Sequence, residues 1–327
     1  MKLVVHPAPR SGEGQGYHEP CVFIGPVRPV RTSSANNRSR HPTGGAIQPS
    51  NARMPVRDVK IDLNSDKDAQ QSKQRDLDRP TAIEIYEQVS RNARRELQRP
   101  ALALATSGIV GGLTMGLTGL SVSVVSSMLG NSPIAQFVAL LFYPMGFMAV
   151  ILGRGQLFTE NTLYPVALIL AERRHFLSTA RLWAIVFPAN VAGAFLFALL
   201  AARTKALQPD QLHCLVLLGT QAASPNLRHI FWSGVVGGWM IAMVAWLVSG
   251  SHSITGSVAV IWVLAFIVGV GHFAHCIATS GEILAAVLSH GVTPGAYFRW
   301  LLAATSGNVV GGVVLVTLLE YGQVKLE

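Results

Sequence analysis

What most limits the fold of this 327-residue chain is a series of six apolar segments after residue 100, two of them overlong and broken in the middle. They run over about 102–128, 134–170, 182–202, 230–249, 258–288 and 300–321. A helix crosses a bilayer with roughly 20 apolar residues, so each segment reads as one span. The second is interrupted at Gly153-Arg154-Gly155-Gln156-Leu157-Phe158-Thr159-Glu160-Asn161. The fifth is interrupted at Gly269-Val270-Gly271-His272-Phe273-Ala274-His275, and its polar character continues to Thr279-Ser280-Gly281-Glu282. Irregular backbone at membrane depth persists only where it is buried in protein or lines a cavity. The two breaks are therefore where function is expected.

Charge supports the same reading. Of 26 Lys/Arg and 17 Asp/Glu, the first 100 residues hold 17 and 11, which leaves 15 charged side chains for the remaining 227 residues. A soluble domain carries about a quarter of its residues charged. An ordinary soluble enzyme and a nucleic-acid binder are both excluded on this ground, despite a net charge of +9. Basic residues near the span ends divide eight (Arg91, Arg94, Arg95, Arg99, Arg173, Arg174, Arg181, Lys325) against four (Arg203, Lys205, Arg228, Arg299). The richer side is expected to be cytoplasmic, and with it both termini. Cys21, Cys214 and Cys276 form no CxxC pair and support neither a disulfide framework nor a zinc site. Leu3-Val4-Val5 is too short for the apolar core of a secretory signal.

The halves of the apolar region echo each other. Ser107-Gly108-Ile109-Val110-Gly111-Gly112 opens the first span and Ser233-Gly234-Val235-Val236-Gly237-Gly238 the fourth. Asn190-Val191-Ala192-Gly193 in the third answers Asn308-Val309-Val310-Gly311 in the sixth. Three spans per copy is an odd number, so the second copy is inverted in the membrane, a pattern of channels and transporters with the path near the midplane. The expected fold is all-α, with six transmembrane helices in two inverted three-helix repeats and broken second and fifth helices. Ahead of it, residues 1–53 have a disorder-type composition, Met54 is an alternative start, and 55–80 read as a linker, giving a leader and linker over 1–80. A helix over 81–99 opens with Thr81 and Glu84 in a capping box. Its Ile83, Tyr86, Val89, Ala93 and Leu97 stripe suits either the membrane surface or the inner face of the protein. The channel domain then spans 100–325.

Glycine pairs at Gly108/Gly112, Gly234/Gly238 and Gly307/Gly311 allow close helix approach and carry no chemistry. His275 lies within the fifth-segment break, where an ionisable ring faces a partner or an aqueous path and can exchange a proton near neutral pH. A structural histidine bonded to nearby backbone is the alternative. His272 is three residues away, but no second ligand cluster supports a metal site, and no cofactor is expected. Leu157, Phe158 and Thr159 suit a narrow gate with one polar contact, Thr159 also being able to cap the following half-helix. Tyr143 and Phe147, one turn apart, line the path or pack the core. Glu160 and Glu282 near half-helix starts either cap and orient them or couple a proton to His275. Asn190 and Asn308 either anchor the broken backbone or bridge helices.

The stretches Gln156-Leu157-Phe158-Thr159-Glu160-Asn161, Asn190-Val191-Ala192-Gly193-Ala194, Phe273-Ala274-His275 and Gly307-Asn308-Val309-Val310-Gly311-Gly312, the last followed by Tyr321-Gly322, resemble the formate/nitrite transporter family in order and content. They cover about residues 82–325, and the Gln-Leu-Phe-Thr-Glu-Asn wording resembles an inner-membrane branch with a longer leader. The resemblance implies a homopentamer with an aquaporin-like pore in each subunit, carrying small monovalent anions such as formate, nitrite, hydrosulfide, acetate or lactate. It implies His275 as the central histidine, Thr159 as the loop threonine, Leu157 and Phe158 as gating residues and Asn308 as the sixth-span asparagine. Ala274 and Thr279 stand where many members have Glu and Asn, Gly237-Gly238-Trp239 lacks a common polar residue, and Arg228 is the nearest cation to an expected vestibule lysine.

The expected function is a non-enzymatic membrane path for such anions or their weak acids, in which cationic vestibules gather the anion and His275 protonates it or stabilises its charge. A pore for small neutral solutes such as water or glycerol lacks the twin Asn-Pro-Ala signature. A non-conducting scaffold or regulator that keeps the fold is the rival from another class. An intramembrane protease has no Gly-x-Ser-Gly element to support it.

Overall fold

The computed structural model describes residues 80–130 and 132–326. The expected leader, the alternative start at Met54 and the linker short of Pro80 lie outside the described residues. Every regular element among the described residues is helical. The first, α1 (Ala82–Leu97), starts as expected. Glu84 N–H donates to Thr81 Oγ1 at 3.3 Å and Thr81 N–H to the Glu84 carboxylate at 2.7 Å, satisfying two amides that a helix start leaves open. Part of its apolar stripe packs on the protein. Tyr86, Val89, Ser90 and Ala93 are buried, and the Tyr86 hydroxyl donates to Ala167 O.

The first span is α2 (Ala101–Leu129), followed by α3 (Pro133–Leu140) and α4 (Met145–Leu152). After the first break come a 3-10 turn (Glu160–Thr162) and the half-helix α5 (Tyr164–Glu172). The third span is α6 (Phe176–Arg203). The second copy comprises α8 (Leu227–Ser249), α9 (Ile254–Val270), the second break and the half-helix α10 (Ala278–Leu288). It closes with α11 (Pro294–Val310), which runs through a π-helical stretch (Gly311–Leu318) into α12 (Leu319–Leu326). Among the described residues, five helical stretches are long and apolar enough to cross a membrane, counting α3 with α4 and α11 with α12, whereas the fifth expected span is divided between α9 and α10. Its break comes at Gly271 to Ile277, leaving neither piece long enough alone.

Three differences from the expected layout have physical reasons. The spans begin earlier than hydropathy suggests, α6 at Phe176 rather than 182, its start including Ser178, Thr179 and Arg181, and α11 at Pro294 rather than 300, where Thr293 Oγ1 caps the helix ahead of its apolar core. The second segment bends a second time at 141–144, where Pro144 opens α4. Between α6 and α8 lies an unforeseen α7 (Pro209–Ala223), too short to span, burying Leu215 and Gly219 and packed on α10 and α2.

The two copies close on themselves through glycine. A methyl group added at Gly112 would sit 1.9 Å from Asn190 O, and one at Gly238 would sit 2.4 Å from Asn308 Cα and O. The α2–α6 and α8–α11 backbones therefore touch where the asparagines sit, and no larger residue fits. This contact determines how far each asparagine reaches into the adjacent break.

Candidate functional site

Each break follows the same course. After α4, Gly153 N–H donates to Ala149 O at 3.0 Å, Arg154 takes a left-handed φ of 58°, and Gly155 N–H returns to Val150 O at 2.9 Å. After α9, Gly271 N–H donates to Ile267 O at 2.8 Å, His272 takes a φ of 49°, and Phe273 N–H returns to Val268 O at 3.0 Å. The chain then turns inward, and serines from the neighbouring helices receive it. Ser107 Oγ accepts from Gln156 N–H at 3.2 Å and Ser233 Oγ from Ala274 N–H at 3.0 Å.

The asparagines satisfy the backbone groups that no helix can. Asn190 Oδ1 accepts from Phe158 N–H at 2.8 Å, while its Nδ2 donates to Gly108 O at 2.7 Å and Gln156 O at 2.8 Å. Asn308 repeats this with Cys276 N–H at 2.8 Å, Gly234 O at 2.8 Å and Ala274 O at 2.9 Å. Both readings of these residues hold together, since one amide anchors the break and bridges two helices. Asn308 stands 118 residues after Asn190, as Ala274 does after Gln156 and Cys276 after Phe158. The register pairs Leu157 with His275.

Between the breaks, Thr159 Oγ1 lies 2.8 Å from His275 Nε2. His275 Nδ1 accepts from Ala278 N–H at 3.1 Å, so it caps the start of α10 and carries no proton itself. The ring proton is thereby assigned to Nε2, aimed at Thr159, and the threonine hydroxyl is left to donate elsewhere. Neither ring nitrogen is free for a metal ion. His275 is fully buried, with the Phe147 ring edge-on at 5.0 Å between centroids. Tyr143 follows Phe147 at 6.0 Å, and Leu157 is also fully buried.

The other expected site residues divide around this pair. Phe158 turns toward α6, its ring meeting Trp183 at 5.6 Å and Phe187 at 4.9 Å. Glu160 opens the 3-10 turn and is buried. Glu282 lies within α10 rather than at its first turn, its side chain against Gly119 of α2. Both carboxylates are buried, on opposite sides of the histidine in the chain order of the breaks. Sequence reasoning missed Gln156, which donates to Glu96 at 2.8 Å and accepts from Asn161 at 2.9 Å, tying α1 to the first break. Ser107 and Ser233 were visible only as the openings of the repeated motif.

The family model described as Formate/nitrite transporter matches residues 83–322, nearly the whole described region. The chain belongs to the formate/nitrite transporter family. Among curated relatives of the family, the inner membrane protein YfdC of Escherichia coli (strain K12) is 27% identical over 248 residues, covering 75% of this chain and 79% of that protein. A probable formate transporter of Methanothermobacter thermautotrophicus is 30% identical over 209 residues, covering 57% and 76%. Among solved structures, an ion channel of the family aligns with a TM-score of 0.67 at 18% identity, covering 73% of this chain and 98% of that one. A pentameric formate channel with formate bound aligns at 0.59, also at 18% identity, covering 69% and 98%. The fold is the aquaporin-like arrangement of formate/nitrite transporters, two inverted three-helix repeats with broken second and fifth helices.

Proposed function

We propose that this multi-pass membrane protein passes small monovalent anions, or their weak acids, of the formate and nitrite type along a path that runs by His275 and Thr159. The carrying observation is the buried 2.8 Å contact between them, where two inward-turning breaks meet. An isolated carboxylate pays a large solvation cost in apolar surroundings and a neutral acid a small one. A threonine hydroxyl polarised by an imidazole N–H offers a donor where the anion or acid has lost its water. Leu157 and Phe147 form the apolar approach, Tyr143 continues it on one side, and Phe158 backs Leu157 from α6. Asn190 and Asn308 hold both loops. Glu160 and Glu282 are the groups through which a proton would be exchanged on either side. Curated and structural relatives that handle formate favour this substrate class.

In this reading residues 100–325 are the conducting domain, 81–99 brace its inner side, and 1–80 form a leader. The protein transports rather than catalyses, works as a homopentamer in the inner membrane, and has both termini in the cytoplasm. The test is liposome uptake of formate, nitrite and acetate between about pH 5 and 8, with wild type and His275→Phe. Wild-type uptake that falls about tenfold or more in the variant is expected. Equal uptake by both overturns the role of the histidine. Absence of anion uptake by folded wild type overturns the transport reading in favour of a scaffold.

A further inference from the structure

We infer that Thr162 and Thr317 are positioning residues that aim the Thr159 hydroxyl at the constriction, and that the π-helical form of the sixth span is what brings Thr317 into reach. The inference rests on the proposed transport reading, in which that hydroxyl serves the passing anion or acid. Thr159 stands at the entry to the 3-10 turn (Glu160–Thr162), a single turn of three residues. Thr162 closes this turn twice on Thr159 O, its N–H donating at 3.3 Å and its hydroxyl at 2.7 Å. Thr159, Thr162 and Thr317 are all buried. The direction of the Thr159 side chain therefore follows the orientation of the turn.

Two distant helices hold the turn from outside. Trp183 Nε1–H of α6 donates to Asn161 O at 2.9 Å. From the other repeat, the Thr317 hydroxyl lies 3.3 Å from Thr162 O and 3.0 Å from Gly312 O of its own helix. A hydroxyl has one proton to donate, so the two carbonyls share it. Gly312 also faces the turn, since a methyl group added there would sit 2.0 Å from Thr162 Oγ1. Gly312 and Thr317 are five residues apart. In an α-helix such residues point about 140° away from each other, whereas the i→i+5 bonding of a π-helix brings them onto one side. The π-helical stretch (Gly311–Leu318) thus turns both residues toward Thr162.

The second break is held differently. In the register of the repeats Thr162 corresponds to Ser280, and Gly312 and Thr317 correspond to Ala194 and Leu199. Ser280 Oγ donates to Cys276 O at 2.5 Å and accepts from the Tyr297 hydroxyl at 3.0 Å. Ala194 and Leu199 lie in the continuous α-helix α6, and leucine has no hydroxyl to offer. Among the described residues the π-helical hold occurs only beneath the loop that carries Thr159. Both copies already satisfy their loop backbone through an asparagine, so the additional hold is assigned to the donor.

The test measures formate uptake by full-length protein in liposomes as a double-mutant cycle. Thr317→Val keeps the side-chain shape and removes the hydroxyl. It is expected to lower uptake about threefold to fivefold, with Thr317→Ser restoring it. Thr162→Val removes the 2.7 Å bond within the turn itself and is expected to act alike. In a Thr159→Val background neither substitution should lower uptake further, because the group they aim is gone. A role in stability alone would lower uptake by the same factor in both backgrounds, which would overturn the inference. Uptake equal to wild type in both single variants would overturn it too. Where Thr317→Val yields no folded protein, Thr162→Val completes the cycle by itself. Absence of wild-type uptake, or Thr159→Val uptake equal to wild type, refutes instead the transport reading beneath the inference.

Discussion

The two breaks share a scaffold and differ in what they present. Both use a serine, an asparagine and a glycine contact in equivalent places, with bond lengths that agree within about 0.2 Å. Their inner residues do not correspond. Leu157, Phe158 and Thr159 stand in register with His275, Cys276 and Ile277, so leucine is the imidazole's counterpart in the other copy, and its polar partner comes from a position two residues further on. Backbone satisfaction is a demand that both copies meet identically, because an unpaired amide inside a membrane is costly whatever the chemistry. The lining is free of that demand, and there the copies have diverged.

Removing either clamp is expected to have the largest effect. Asn190→Ala and Asn308→Ala each leave one amide and one carbonyl of the break without partners, and each should destabilise by about 3 kcal/mol, since a buried unsatisfied group costs about 1–3 kcal/mol. Thermal unfolding in detergent tests this, and a clamp that is tolerated in one copy and not the other would break the equivalence. Next come the residues the clamps hold. Phe158→Ala opens a cavity against Trp183 and Phe187 and should cost about 3 kcal/mol, while Cys276→Ala at the equivalent position should cost about 1 kcal/mol. The same unfolding assay sharpens the contrast between a large aromatic cluster and a small thiol.

Thr159→Val removes the partner of His275 Nε2–H. It should lower stability by about 1–2 kcal/mol and cut anion uptake by about tenfold, whereas Ile277→Thr, at the register position of the other copy, should not restore uptake. Restored uptake would mean that either loop can supply the hydroxyl. The smallest effect belongs to the contact between α1 and α5. Glu172 is held down to about 2 by hydrogen bonds from His175, Arg94 and Arg174. A carboxyl lowered on folding stabilises above its ordinary range near 4.5 and loses that contribution as pH falls toward 2. Amide exchange of α1 should therefore quicken between those values, and Glu172→Gln should quicken it at neutral pH and remove the dependence.

Much of the architecture was legible because the membrane punishes polar exposure. Six apolar stretches, two of them broken by Gly-Arg-Gly and Gly-His runs, and the recurrence of Ser-Gly-x-x-Gly-Gly and of the asparagine motif specified the repeats and their inversion. The unforeseen α7 carries mixed polarity and is too short for a span, so no periodic signal distinguished it from a loop. The kink at 141–144 was hidden inside an apolar run, where hydropathy does not change. Phe158 read as a gate because it adjoins Leu157 and Thr159, and its ring packs on Trp183 and Phe187 of α6, a contact between distant segments.

The order of residues thus determined that the chain would need two inward-turning breaks, and which amides and carbonyls in them would require partners. It could not specify that Thr159 and His275, 116 positions apart, would meet at 2.8 Å. Nor could it assign the ring proton to Nε2, which follows from the Ala278 N–H that His275 caps. Hydropathy and motif spacing report what each segment needs locally. Contact between segments depends on how closely α2 approaches α6 and α8 approaches α11, and that distance is determined by glycine packing in three dimensions.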